Sequence, residues 1–382
     1  MIPFNKPYLT GRELHYIEQA LSSGSLSGNG LFTKKCQNYF QDFYGVRKCL
    51  LTTSCTDALE MAAILSGVSH GDEVILPSYT FVSTALAFVR QGAKIVFADS
   101  CENNPNMDVR HVESLVTDRT KCIVPVHYAG VACDMDSIMK IAENRNIFVI
   151  EDAAQAIDSF YRGRRLGTIG HLSAFSFHQS KNIIAGEGGM LCVNDERFLH
   201  RSEIIWEKGT NRASFFRGEV DKYGWVDTGS SFLPSEIISA FLYAQIQNIA
   251  DIQAQRQAIW ARYYEALEPL AQKGFFTIPN IPSYSTNNAH MFYLVCNSVE
   301  ERTALIAKLK AEGIMAVFHY LSLHKSRYCK ANYATIDLPH SDRFTDCLVR
   351  LPLYCDLSIP EVDSIVTIIR EYFLPECKGI PC

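Results

Sequence analysis

The chain has 382 residues, 47% of them apolar, and a formal net charge of −5. That is enough apolar sequence for one large core and a smaller one, which excludes a disordered chain and predicts two or three domains. Acidic and basic residues are mixed along the chain, so no basic stripe follows a nucleic acid backbone and no cationic helix lies on a membrane.

The opening stretch "MIPFNKPYLTGRELHYIEQAL" has no charged segment followed by an apolar run. It does not read as a signal peptide, nothing downstream reads as a membrane span, and the expected location is the cytoplasm. Thr10 and Glu13 stand three apart ahead of Leu14, Ile17 and Leu21. This spacing predicts a capping box and an amphipathic helix, ended by the glycine-rich "SGSLSGNG". From residue 73 the apolar runs "EVILPS", "KIVFADS", "KCIVPVHY" and "NIFVIED" alternate with helical stretches such as "VSTALAFVRQG" and "DSIMKIAENR". Such alternation predicts a parallel sheet covered by helices on both faces. After "GEGGMLCVND" the chain turns helical, with one long apolar periodicity from Pro234 to about Gln272 and Pro234 in its first turn. The units "HMFYLVC", "EERTALIAKLKAEG", "IMAVFHY" and "EVDSIVTIIREYF" then suggest a small α+β domain. The change of pattern divides the chain into a large domain, 1–250 with the N-terminal segment, and a small C-terminal domain, 251–382. The 13 cysteines are odd in number and never form CxxC, so neither a disulfide framework nor a metal site is predicted, and most should be small buried residues.

Ligands of a parallel α/β sheet gather at the carboxyl ends of its strands, where helix amino termini also point. Three segments should meet there. In "LLTTSCTDALEMAAIL" the polar Thr53, Ser54, Cys55 and Thr56 run into an apolar helix, which reads equally as an anion site and as an ordinary helix cap. In "IFVIEDAAQAID" Glu151 and Asp152 close an apolar strand, and a buried carboxylate there needs a partner. A structural arginine or the protonated ring nitrogen of a cofactor would serve. In "AFSFHQSKNIIAGEGGMLC" Ser176 and Lys181 precede glycines that let the backbone pass close by. Alone, Lys181 reads as an exposed lysine; beside an anion cradle and an acidic strand end it reads as an amine that forms a Schiff base with an aldehyde. Cradle, carboxylate and lysine, in this order, are what pyridoxal 5′-phosphate requires.

The segments "TSCTDALEMA", "PSYTFVSTA", "VPVHYAGVACDMDSI", "EDAAQA", "FSFHQSKN" and "GEGGML" follow one another as they do in the sugar aminotransferases of the DegT/DnrJ/EryC1/StrS family, which the chain resembles over nearly its whole length. The resemblance implies an α/β protein of fold type I, with a large, mostly parallel sheet flanked by helices and a small α+β C-terminal domain. It implies pyridoxal 5′-phosphate as cofactor, carried by Lys181, which would also move protons between substrate and cofactor. Asp152 would keep the pyridine nitrogen protonated, Gln155 would bond the ring hydroxyl, Phe81 would lie against the ring, and Thr53, Ser54, Cys55 and Ser176 would bind the phosphate. A dTDP-sugar substrate, L-glutamate as donor leaving 2-oxoglutarate, and a homodimer with shared active sites are implied as well. Many relatives carry an asparagine and an arginine in a "G-Y-N-Y-R" stretch that reaches the neighbour's phosphate; here "TGSSFLPSE" places Ser231 and Leu233 at those positions. In "FHYLSLH", His319, Tyr320 and His324 are candidates for the sugar nucleotide, and two of the three read equally as packing residues.

Overall fold

Seven short runs, rich in Val, Ile, Leu and Phe, form the central sheet of the computed structural model, which describes residues 1–374. In chain order they are β1 (Lys48–Thr52), β2 (Glu73–Pro77), β3 (Lys94–Ala98), β4 (Thr120–Ile123), β5 (Phe148–Asp152), β6 (Leu172–Ser176) and β7 (Gly189–Val193). Across the sheet the order is β1-β7-β6-β5-β4-β2-β3. Six strands run parallel, and β7 is antiparallel to both of its neighbours, β1 and β6. All residues of β2, β6 and β7 are buried, as expected of strands covered on both faces. Alternate residues feed two cores: Ile75, Val149, Phe175 and Met190 face one, and Val74, Leu76, Ile150, Ala174 and Leu191 the other.

The amino terminus departs from the predicted capping box. The helix spans Glu13–Ser22 with Arg12 at its cap position. Glu13 accepts from the Thr10 N–H and hydroxyl at 2.8 and 2.9 Å, but the Thr10 hydroxyl accepts from Arg12 N–H at 3.2 Å, leaving the reciprocal half of the box unmade. Leu14 and Leu21 are exposed in the chain by itself. The periodicity after Pro234 is two helices, Glu236–Gln247 and Ile249–Gln272, broken at Asn248. Pro234 lies outside the first of them, ahead of the cap residue Ser235.

A third core lies beyond the break. Ile252 still packs into a large-sheet core, whereas Ile259, Tyr263 and Leu267 of the same helix pack with Phe292, Leu294, Val349 and Leu351. These last four come from an antiparallel pair, β8 (Phe292–Val295) and β9 (Leu348–Leu351). Helices Val299–Ala311 and Ile359–Phe373 cover it. The stretch "IMAVFHY" joins this pair through one bridge, Val317 to Arg350. Ile2 pairs with Ile314 and packs into this core, so the first residues of the chain return to the C-terminal unit. No helix among the described residues is long and apolar enough to cross a membrane.

Candidate active site

β1 ends at Thr52, and the helix Cys55–Leu65 starts three residues on. Ser54 caps it in an extended conformation, its hydroxyl accepting from Asp57 N–H at 3.1 Å. The free N–H groups and positive dipole end of this helix therefore face the carboxyl edge of the sheet. The close fit depends on Gly189, the first residue of β7: a Cβ there would stand 2.3 Å from the Ser54 carbonyl carbon. One of the glycines in "GEGGML" is thus what lets helix and strand meet.

The two carboxylates that close β5 point to opposite faces, as successive strand residues must. Glu151 is caged. It accepts from His127 Nε2 at 3.0 Å and from the backbone N–H groups of Gly167, Ile169 and Gly170 at 2.6–2.7 Å. Burial alone would raise its pKa, but His127 and these N–H groups hold it below the ordinary carboxylate value. Asp152 has thinner support, from the Thr84 hydroxyl at 2.7 Å and Ala154 N–H at 3.1 Å. Burial wins there and raises its pKa, against the hydrogen bonds of Thr84 and Ala154 and the charges of Lys181 and His127. A carboxylate in this state favours a cationic partner on its open side.

That open side is a cavity of about 450 Å³ lined by Ser54, Cys55, Phe81, Asp152, Gln155, Ser176 and Lys181. Lys181 stands in the turn after β6, its N–H donating to His178 carbonyl oxygen at 2.9 Å. Burial, with Arg350 nearby, lowers its pKa to about 8 against the pull of Cys55 and Asp152. An amine so displaced is a nucleophile near neutral pH. Phe81 caps the helix Val82–Val89 and is 56% exposed at the cavity. Gln155 accepts from Ala129 N–H at 2.7 Å and donates to the Tyr320 hydroxyl at 3.1 Å.

The family model described as the DegT/DnrJ/EryC1/StrS aminotransferase family matches residues 7–370. The chain belongs to this family. It is similar to the spore coat polysaccharide biosynthesis protein SpsC of Bacillus subtilis (strain 168), 32% identical over 97% of this chain and 96% of the relative. Among solved structures it is similar to an aminotransferase from Psychrobacter cryohalolentis (TM-score 0.91, 26% identity, 98% and 99% of the two chains). It is also similar to Spr1654 from Streptococcus pneumoniae in its PLP-form (TM-score 0.89, 25% identity, 97% and 98%).

The protein is thus a pyridoxal 5′-phosphate-dependent aminotransferase, and the donor set fits that cofactor. The helix start at Ser54 and Cys55 suits the phosphate, the buried Asp152 suits a protonated ring nitrogen, and Lys181 suits the aldehyde. When bound, the cofactor supplies an electron sink for the electrons left behind as a proton leaves the carbon bearing the nitrogen. The aminotransferase brings nine of the twelve predicted site residues to this cavity and leaves three outside. His319 and Tyr320 line it. His324 does not: its ring is turned to Ser78, with Nδ1 and Oγ at 2.7 Å, and to Asp342 at 3.4 Å. Thr53 lies just outside, its N–H given to Phe232 carbonyl oxygen at 3.0 Å and its hydroxyl bonded to Asp57. Ser231 is exposed, in a backbone bridge with Glu207.

Ser83, Thr84, His290 and Arg350 are among the lining residues that have no place in the sequence reading. Thr84 was within reach, since it follows Phe81 by one helical turn in "YTFVSTA". His290 and Arg350 come from the C-terminal unit, next to and within the β8–β9 pair, and no local motif announces them.

Proposed function

We propose that the enzyme moves the amino group of L-glutamate to C4 of dTDP-4-keto-6-deoxy-D-glucose, giving dTDP-4-amino-4,6-dideoxy-D-galactose and 2-oxoglutarate. The observation that carries a transamination is the convergence of Lys181, Asp152, Gln155 and Ser176 on one cavity. A sugar as the keto substrate is supported by the polysaccharide role in the name of SpsC. The choice of sugar rests on sequence resemblance: "EKGTNRASFFRGEVDKY", "DTGSS" and "IMAVFHYLSLH" match galactose-forming members that serve enterobacterial common antigen synthesis. In this reading Lys181 hands the last proton to C4, so the face of the sugar turned toward Lys181 sets the product epimer. Asp152 holds the ring, and Gln155 orients it in its plane. His319 and Tyr320 stand where the sugar nucleotide enters. A second copy of the chain completes the pocket through Ser231.

The test is incubation with L-glutamate and a panel of nucleotide 4-keto-6-deoxy sugars, with mass detection and NMR of the product. The dTDP-4-keto-6-deoxy-D-glucose reaction is expected to yield an axial amine, so that H4 is equatorial and its couplings to H3 and H5 are both small. Large couplings would make the enzyme a gluco-former. Turnover only of another nucleotide sugar would move the substrate.

A further inference from the structure

His324, predicted to meet the substrate, lies behind the cavity wall, and its ring there bridges two elements. On one side Nδ1 is 2.7 Å from the hydroxyl of Ser78, the residue after β2. On the other, Nε2 is 3.4 Å from Oδ1 of Asp342, in the helix Pro339–Cys347. Both of these atoms are buried, and neither has a hydrogen bond elsewhere. A carboxylate can only accept, so Nε2 carries the proton and Nδ1 is left to accept from Ser78. The Ser78 hydroxyl oxygen accepts in turn from His324 N–H at 3.3 Å, and the Ser78 carbonyl oxygen from Leu323 N–H at 2.8 Å. The other oxygen of Asp342 is paired with Lys325 at 2.7 Å. Ser322 is tied to the same helix, its N–H donating to the Thr345 hydroxyl and its own hydroxyl to Ser341 carbonyl oxygen, both at 3.0 Å.

Four residues before His324, Tyr320 enters the cavity wall on a strained backbone. Its φ is 24°, in the left-handed region that favours glycine. Such a conformation persists only where its surroundings hold it. On the cavity side Gln155 Nε2 donates to the Tyr320 hydroxyl at 3.1 Å, and the Tyr79 hydroxyl donates to His319 carbonyl oxygen at 3.3 Å. The Tyr128 hydroxyl and His319 Nδ1 are 2.7 Å apart. Leu321 is exposed, so on the far side the strain is held by Ser322, Leu323 and His324.

We propose that His324 is a positioning residue: bonded to Ser78 and facing Asp342, it keeps the strained Tyr320, and the His319 ring stacked on it at 3.5 Å, where they meet the sugar nucleotide. A sugar nucleotide is much larger than an amino acid and depends on more of the cavity wall, so the role belongs to the sugar half-reaction. This rests on the substrate reading above and adds to it a residue that touches no substrate.

Rapid mixing separates the two half-reactions. The pyridoxamine form of the holoenzyme is mixed with dTDP-4-keto-6-deoxy-D-glucose, and the pyridoxal form with L-glutamate, each followed by cofactor absorbance. Wild type is compared with His324→Ala, His324→Asn, Ser78→Ala and the double variant Ser78→Ala/His324→Ala. Binding of dTDP-D-glucose, whose C4 hydroxyl cannot transaminate, is measured by calorimetry on the same proteins. His324→Ala is expected to weaken both sugars about tenfold, the order of one lost buried hydrogen bond, and to leave the glutamate half-reaction within about threefold of wild type. His324→Asn, which keeps an acceptor for Ser78, should recover most of that loss. The double variant should be worse than His324→Ala by no more than about twofold, because the two changes remove one linked contact. Where His324→Ala does not fold, Ser78→Ala and His324→Asn carry the same contrast, with a sugar-selective loss expected in Ser78→Ala. Equal losses in both half-reactions, unchanged binding of dTDP-D-glucose, or additive losses in the double variant would overturn the proposal and leave His324 a packing residue. Failure of the substrate reading would look different: glutamate would convert the wild-type pyridoxal form, no ketosugar of the panel would convert the pyridoxamine form, and the role of His324 would fall with it.

Discussion

Burial shifts Asp152 and Lys181 in opposite directions, and both shifts serve the same chemistry. The carboxyl of Asp152 is raised because burial outweighs its hydrogen bonds, so it gains more from a cation opposite it than a solvated carboxylate would. Asp152→Asn keeps the shape but presents no charge; we expect transamination to fall at least about a hundredfold, each tenfold being about 1.4 kcal/mol of barrier. Steady-state rates within threefold of wild type would mean that another group holds the ring nitrogen. Lys181 is shifted down to about 8, mainly by burial. A lowered pKa means that the neutral, nucleophilic amine prevails above pH 8 and is lost below it. The rate at which cofactor-free enzyme takes up the aldehyde should therefore rise with pH and level off above about pH 8; a rate still climbing toward the ordinary lysine value would show an unshifted amine. At this scale the sequence marked Asp152 as a carboxylate closing an apolar strand and Lys181 as a lysine between a strand and a run of glycines. It gave no sign that Glu151, the adjacent carboxylate, is a structural group held by His127 and a backbone turn. One residue of register separates the two roles, and only the fold sets that register.

Among the elements, the helix Cys55–Leu65 and β7 meet at close backbone range at the edge of the cavity. Gly189→Ala would drive a Cβ to 2.3 Å from the Ser54 carbonyl carbon, and because the obstruction is backbone, the helix start must move. Cofactor affinity, measured by absorbance titration, is expected to weaken at least tenfold, with a lower melting temperature. An unchanged affinity would show that the phosphate does not depend on this helix start. The strands β2 to β5 were legible because they are near-continuous apolar runs. The helix Leu31–Tyr44 was not, since its cap is supplied from afar: Glu236 accepts from Phe32 and Thr33 N–H at 2.6 and 3.0 Å. The break at Asn248 hid inside a periodicity that both flanking helices continue.

For the whole molecule, the C-terminal unit closes a cavity that the large sheet alone leaves open, through His290, His319, Tyr320 and Arg350. These residues are distant in sequence from the lysine they surround, which is why the sequence pointed to the cofactor's ring and phosphate more clearly than to the substrate. Ser231, by contrast, lies outside its own cavity, in a segment that leaves Trp225 85% and Phe216 69% exposed. Such large exposed aromatics suit a covered surface. We expect sedimentation at assay concentration to show a dimer, and Ser231→Ala to weaken cofactor binding without dissociating it. An active monomer would refute the shared site; unchanged cofactor affinity in Ser231→Ala would leave the dimer and remove the cross-subunit contact.

The central claim is that the cofactor is carried by Lys181 in this cavity. Borohydride reduction of the holoenzyme, followed by proteolysis and mass spectrometry, fixes the cofactor to whichever lysine holds it. The account predicts that the added mass falls on Lys181, and that Lys181→Ala acquires none and does not transaminate. Stoichiometric labelling of a different lysine, or a Lys181→Ala enzyme that still turns over, would contradict it.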